Sequence, residues 1–123
     1  MYNKSERSRP LKWVGSSRKD LKAFPRMVQR HIGVTLYVAQ IGGAHPDAKA
    51  LKGFGGANVL EIVSLDRSGT YRAVYTIKFE DAVYVLHAFQ KKSKRGIETP
   101  KEEMDVVRAR LAEVERLHKE KTR

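Results

Sequence analysis

The sequence has no cysteine, a single tryptophan and only four prolines, and no apolar run approaches the length of a membrane span. Each absence excludes something. Without cysteine there is no disulfide framework, no thiolate metal site and no cysteine nucleophile. The first ten residues, MYNKSERSRP, are polar and lack the apolar stretch of a secretory signal. The chain is therefore expected to be soluble and cytoplasmic. No Gly-x-Ser-x-Gly elbow and no pair of carboxylates at catalytic spacing stands out. The glycine-rich stretch Gly53-Phe54-Gly55-Gly56 lacks the Gly-Lys-Ser/Thr ending of a P-loop and the spacing of a dinucleotide-binding turn, so it reads as a turn before a strand. His31, His45 and His118 show no metal-ligand spacing; no metal and no cofactor are expected.

Acidic residues are also scarce. Against 14 Asp and Glu stand 25 Lys and Arg, a net charge of +11 and a pI near 10.1. The excess sits at the two ends. Residues 1–31 carry nine basic and two acidic side chains, residues 32–89 five of each, and residues 90–123 eleven and seven. A neutral middle between basic ends suggests a core with one charged face. So basic a domain favours a polyanionic partner such as RNA, DNA or a ribosome surface.

At 123 residues the chain reads as one domain, residues 11–123, behind a frayed arm of residues 1–10. Residues 11–14 alternate enough for a short strand. Ser17 and Asp20 have capping-box spacing and predict a short helix. Pro25 suits the first turn of a second helix, over residues 25–41, which Gly42-Gly43 ends. A loop follows. Three strand patterns then cover residues 58–65, 71–79 and 82–90, with connections short enough for an antiparallel meander. Thr99, Pro100 and Glu102 take the N-cap, N1 and N3 places of a last helix. Its apolar stripe is Met104, Val107, Leu111, Val114 and His118. The expected architecture is α+β, in the order β-α-α-β-β-β-α: a small antiparallel sheet with helices packed on one face and the other face left for function.

The stretch of residues 71–100 holds the candidate chemistry. Arg72 lies in a strand otherwise of Tyr, Ala, Val, Thr and Ile; alternation puts it on one face with Val74, Thr76 and Lys78. A guanidinium fixed there can fork onto a phosphate; it can equally be a solvent-facing arginine. Lys91, Lys92, Lys94 and Arg95 form the densest charge cluster, either a phosphate-binding rim or a solvated loop. His87 is a general acid–base candidate or a satisfied core histidine. Lys49 and Lys52 can reach the same anion or stay exposed.

Taken in order, several elements resemble the HigB branch of the RelE/ParE toxin superfamily. They are Leu51-Lys52-Gly53 before the glycine-rich turn, Val59-Leu60-Glu61-Ile62, Tyr71-Arg72-Ala73-Val74-Tyr75, and the run from Leu86 to Lys94 leading to Thr99-Pro100. The resemblance covers roughly residues 11–118. It implies a ribosome-dependent mRNA interferase, an endoribonuclease working without a metal, which is neutralised by a helix-turn-helix antitoxin of HigA type. In such enzymes the ribose 2′-OH attacks the adjacent phosphate. That step needs a base, a cation for the phosphorane and an acid for the leaving oxygen. By resemblance, Arg72 stabilises the phosphate and Lys91, Lys92 and Lys94 close the site. Lys52 is a phosphate contact or a base, and His87 an acid or base. Some relatives carry a tyrosine or a His-Asp arrangement near the C-terminus; after Pro100 this chain has only His118. Two other readings stay open: a gyrase-inhibiting toxin of ParE type using its first two helices, and a non-catalytic RNA- or ribosome-binding module.

Overall fold

The computed structural model describes residues 8–91 and 99–121. One sheet contains β1 (Leu11–Trp13), β2 (Ala48–Ala50), β3 (Val59–Asp66), β4 (Gly69–Thr76) and β5 (Val83–Lys91). The helices are α1 (Ser17–Lys22), α2 (Arg26–Gln40) and α3 (Lys101–Lys121). The strands lie in the order β1-β5-β4-β3-β2. From β2 to β5 all neighbours are antiparallel, as the short connections require.

The α+β class and the expected succession of elements hold, with three refinements. The short strand β2 lies in the stretch read as loop; Ala-Lys-Ala has no β-branched or aromatic residue to announce it. β1 pairs with β5 in parallel, Leu11 opposite Val83 and Trp13 opposite Val85, so the sheet is mixed rather than antiparallel throughout. The helices also cover both faces, not one. Val28, Ile32, Leu36 and Ala39 of α2 pack with Ile62, Tyr71, Ala73, Tyr75, Val83 and Val85. Val107, Leu111 and Val114 of α3 pack on the reverse face with Val59, Val74, Tyr84, Leu86 and Phe89. The alternation of β4 explains the split, since odd-numbered residues from Tyr71 to Tyr75 meet α2 and the even ones face α3.

Helix ends show where local signals were spent differently. Ser16, not Ser17, caps α1: the Asp20 amide donates to the Ser16 carbonyl at 2.9 Å, and the Ser16 hydroxyl donates to the Asp20 carboxylate at 2.7 Å. The Ser17 hydroxyl is buried and donates to the Val85 carbonyl at 3.0 Å, pinning α1 to β5. Gly42 ends α2 with φ +84, and the Gly43 amide donates to the Val38 carbonyl at 2.8 Å. Arg9 and Pro10, counted with the arm, are tied into the fold. The Arg9 guanidinium donates to the carbonyls of Ile77 and Phe79, and Val83 donates to Pro10.

Candidate functional site

Strand register builds the site. On the α3 face, three cross-strand rungs follow one another. The first is Lys49, Glu61, Val74 and His87; the second is Val63, Arg72 and Phe89; the third is Leu65, Thr70 and Lys91. The second rung puts Arg72 in the middle of the sheet, walled by a strand on either side.

Arg72 is 5 % exposed. Its Nη1 donates to Glu61 Oε1 at 2.8 Å, and the other Glu61 oxygen accepts from the Thr99 hydroxyl at 2.6 Å. Thr99 therefore does not serve its helix as the expected cap. The amides of Glu103 and Met104 turn instead to the Pro100 carbonyl, so α3 begins one place later. The threonine orients the carboxylate that orients the arginine.

His87 owes its direction to a β-bulge. Val74 faces His87 while Tyr75 faces Val85, so Leu86 is an extra residue in β5. Leu86 joins the apolar packing under α3, and His87 reaches the same helix. Its ring stacks on Phe89, with centroids 4.9 Å apart. Arg110 Nη1 lies 3.3 Å from His87 Nδ1, and Glu103 Oε1 lies 3.3 Å from Nε2. A guanidinium can only donate, so Nδ1 accepts and the ring proton sits on Nε2, directed at Glu103. Both ring nitrogens are thus engaged, and the histidine has the partners of a satisfied interior residue.

Arg110 was not singled out in the sequence, where it reads as one charge among many on a solvated helix. In the fold it reaches β5 at the bulge. It donates to the Leu86 carbonyl at 2.9 Å and to the Ser16 hydroxyl at 3.1 Å. Gly15 makes room for it. A Cβ there would sit 2.6 Å from Arg110 Nε, and the backbone has φ +56. Glu61 and Glu103 were likewise missed, since only register and helix docking reveal them.

Of the residues expected to act, Arg72, His87 and Lys91 share this face and are buried. Lys49 stands on the same face at the edge strand, opposite Glu61, and is exposed. Lys52 is exposed in the turn after β2, where Arg108 of α3 covers the Phe54 ring. Lys92, Lys94 and Arg95 lie outside the described residues. Among the described residues no group of three or more His, Asp or Glu is placed to hold a metal ion. None of the described helices is long and apolar enough to cross a membrane.

Residues 19–112 match the model of the phage-derived Gp49-like family (DUF891). The chain belongs to that family, a family of RelE-type toxins. Among solved structures it is similar to a mutant of the E. coli toxin RelE in the free state. The two share 18 % identity at a TM-score of 0.54, over 86 % of this chain and 96 % of that one. At that identity the likeness establishes a RelE-type fold. No match was found among curated proteins.

Proposed function

We propose that this chain is the toxin of a type II toxin–antitoxin pair and an endoribonuclease that cuts mRNA on the ribosome, in the manner of HigB. The observation that carries the reading is the central arginine, aimed by Glu61 and Thr99 and flanked one rung away by Lys91 on the same sheet face. A charged pair so deep in a small domain contributes little stability for its desolvation, so a role in chemistry accounts for it better than a role in folding.

In this reading Arg72 meets the negative charge that develops on the phosphorane as the ribose 2′-OH attacks. Lys91, with Lys92, Lys94 and Arg95, draws the RNA backbone to the face, and Lys49 and Lys52 extend the cationic border. His87 positions Phe89 and α3 rather than taking a proton, because both of its nitrogens are already held. Burial of Arg72 also suits dependence on the ribosome. Free RNA does not reach the guanidinium until Thr99 leaves Glu61, and a ribosome that holds the message in place supplies the orientation. The partners follow: ribosome, mRNA and a helix-turn-helix antitoxin of HigA type, in the cytoplasm, with no metal.

The test is a reconstituted translation reaction with primer extension on the message. The wild-type chain cuts ribosome-bound mRNA and leaves free mRNA intact. Arg72→Ala lowers the cutting rate about 10²–10³-fold, the usual effect of losing one charge-stabilising donor. A folded Arg72→Ala protein that cuts at the wild-type rate would remove Arg72 from the site. Intact mRNA together with DNA-damage signalling on expression would mark a gyrase-directed toxin instead.

A further inference from the structure

The arginines of α3 are held in different ways. Arg116 donates to Glu113 and Glu120, and Arg110 donates to Leu86 and Ser16. Arg108 makes no hydrogen bond among the described residues. Asp105, one turn back, stays 3.7 Å away, and both side chains are more than half exposed. The Arg108 guanidinium lies instead over the ring of Phe54, 5.4 Å from its centroid. A guanidinium held by a ring has a set place while its donors stay unspent.

Phe54 is a firm support. It is the one side chain in the turn Gly53-Phe54-Gly55-Gly56, and with Leu51 it packs against the core under α3. Its carbonyl accepts from the Ala57 amide at 3.1 Å, and the Ala57 carbonyl accepts from the buried Thr76 hydroxyl at 2.7 Å. The turn also approaches the arginine closely. A Cβ on Gly53 would stand 3.3 Å from Arg108 Nη2, and that backbone has φ +97.

Charge and place select the ligand. Lys49 and Lys52 precede the turn, both exposed, and residues 48–60 contain no acid. Lys49 stands opposite Glu61, the carboxylate that holds Arg72. From Lys49 to Gly53 the chain spans at most about 14 Å, so the Arg108–Phe54 pair borders the Arg72 face. A simple anion would be served by the lysines alone, and a carboxylate partner would need only the charge. An exposed contact of this kind adds little to stability. What the ring does is hold a flat cation in place, and nucleobases of single-stranded RNA stack on such planes.

We propose that Arg108, propped on Phe54, is a stacking platform for one base of the RNA, in a nucleotide flanking the one cut at Arg72. Lys49 and Lys52 take the neighbouring phosphates. This rests on the reading of the Arg72 face as an RNA-cutting site.

The probe is a fluorescein-labelled oligouridine, titrated against the full chain beside a twin of equal length that has ribose and phosphate but no bases. Wild type should bind oligouridine about tenfold more tightly than the twin. Arg108→Lys keeps the charge and loses the plane; Phe54→Leu keeps the apolar packing and loses the ring. Each should bind oligouridine no better than wild type binds the twin. Arg108 is exposed, so its lysine variant folds even where Phe54→Leu does not. In the ribosome-bound cutting reaction Arg108→Lys should raise KM about tenfold and change kcat far less. Equal binding of the two RNAs by wild type, or wild-type affinity for oligouridine in the Arg108→Lys protein, would overturn the platform. So would a loss of kcat at unchanged KM. A preference for bases that depends on Arg108, in a chain that cuts no ribosome-bound message, would uphold the platform and remove the nuclease reading.

Discussion

The two faces of the sheet solve the same problem with different materials. Against α2, the sheet buries Ile62, Tyr71, Ala73, Tyr75, Val83 and Val85 under aliphatic helix residues. Against α3 it does so with Val59, Val74, Tyr84, Leu86 and Phe89, but among them it also buries Arg72, Glu61, His87 and Lys91. On the α2 side the buried polar side chains are the hydroxyls of Ser17, Thr35 and Ser64, so among the described residues that face closes without a buried charge. The difference separates residues that hold the molecule together from residues kept in spite of their effect on stability.

That contrast can be broken at its strongest point by Glu61→Ala, which strands a buried guanidinium and should cost about 3–5 kcal/mol in denaturant unfolding. Glu61→Leu with Arg72→Leu should recover most of the loss while mRNA cutting stays abolished. If the double variant is as unstable as the single one, the pair is structural after all. On the opposite face, Leu36→Ala should cost about 2–5 kcal/mol through the cavity it leaves, with cutting per folded molecule unchanged. A smaller effect is expected of Gly15→Ala, about 1–2 kcal/mol for the left-handed backbone. Because its Cβ also displaces Arg110, the His87 ring-nitrogen resonances should move.

The α3 face also carries a polar cluster of another kind. At its far end His118, Tyr84 and Lys12 all bond the Asp81 carboxylate. Partial burial alone raises this carboxyl, but the hydrogen bonds from His118, Tyr84 and Lys12 outweigh it and hold it well below its ordinary 3.8. A depressed folded value means that the stability Asp81 adds is present above that ordinary value and is lost as pH falls through the folded one. The gap in denaturation midpoint between wild type and Asp81→Asn should therefore be widest at neutral pH and close in acid. A gap constant with pH would show that the cluster acts by packing.

The strands and helices were legible because their signals are local. The alternation in β4 gave the face of Arg72, and Gly42-Gly43 gave the end of α2. What escaped depends on register or on distant partners. Glu61 meets Arg72 only once β3 and β4 are aligned residue by residue. β1 finds β5 across most of the chain, and a strand of three residues has no pattern to declare a parallel partner. Thr99 carried a helix-start signal of the right composition, yet its hydroxyl went to Glu61. The bulge at Leu86 is equally silent, since the apolar run around it reads the same with or without an extra residue. Arg110 had no signal beyond its charge, and the helical spacing that exposed the apolar stripe placed it among solvated residues.

Arg110 also sets a condition on timing. Its bonds join residues 94 and 24 positions apart, to Ser16 and Leu86. Contacts so distant in sequence form late, and domains are released from the ribosome from their N-terminus onward. A nascent chain that has extruded β5 but not α3 has Arg72 without Thr99 to steer its carboxylate and His87 without Arg110. The orientation of Glu61 and His87 is therefore completed only when α3 and the residues just before it dock on strands already made.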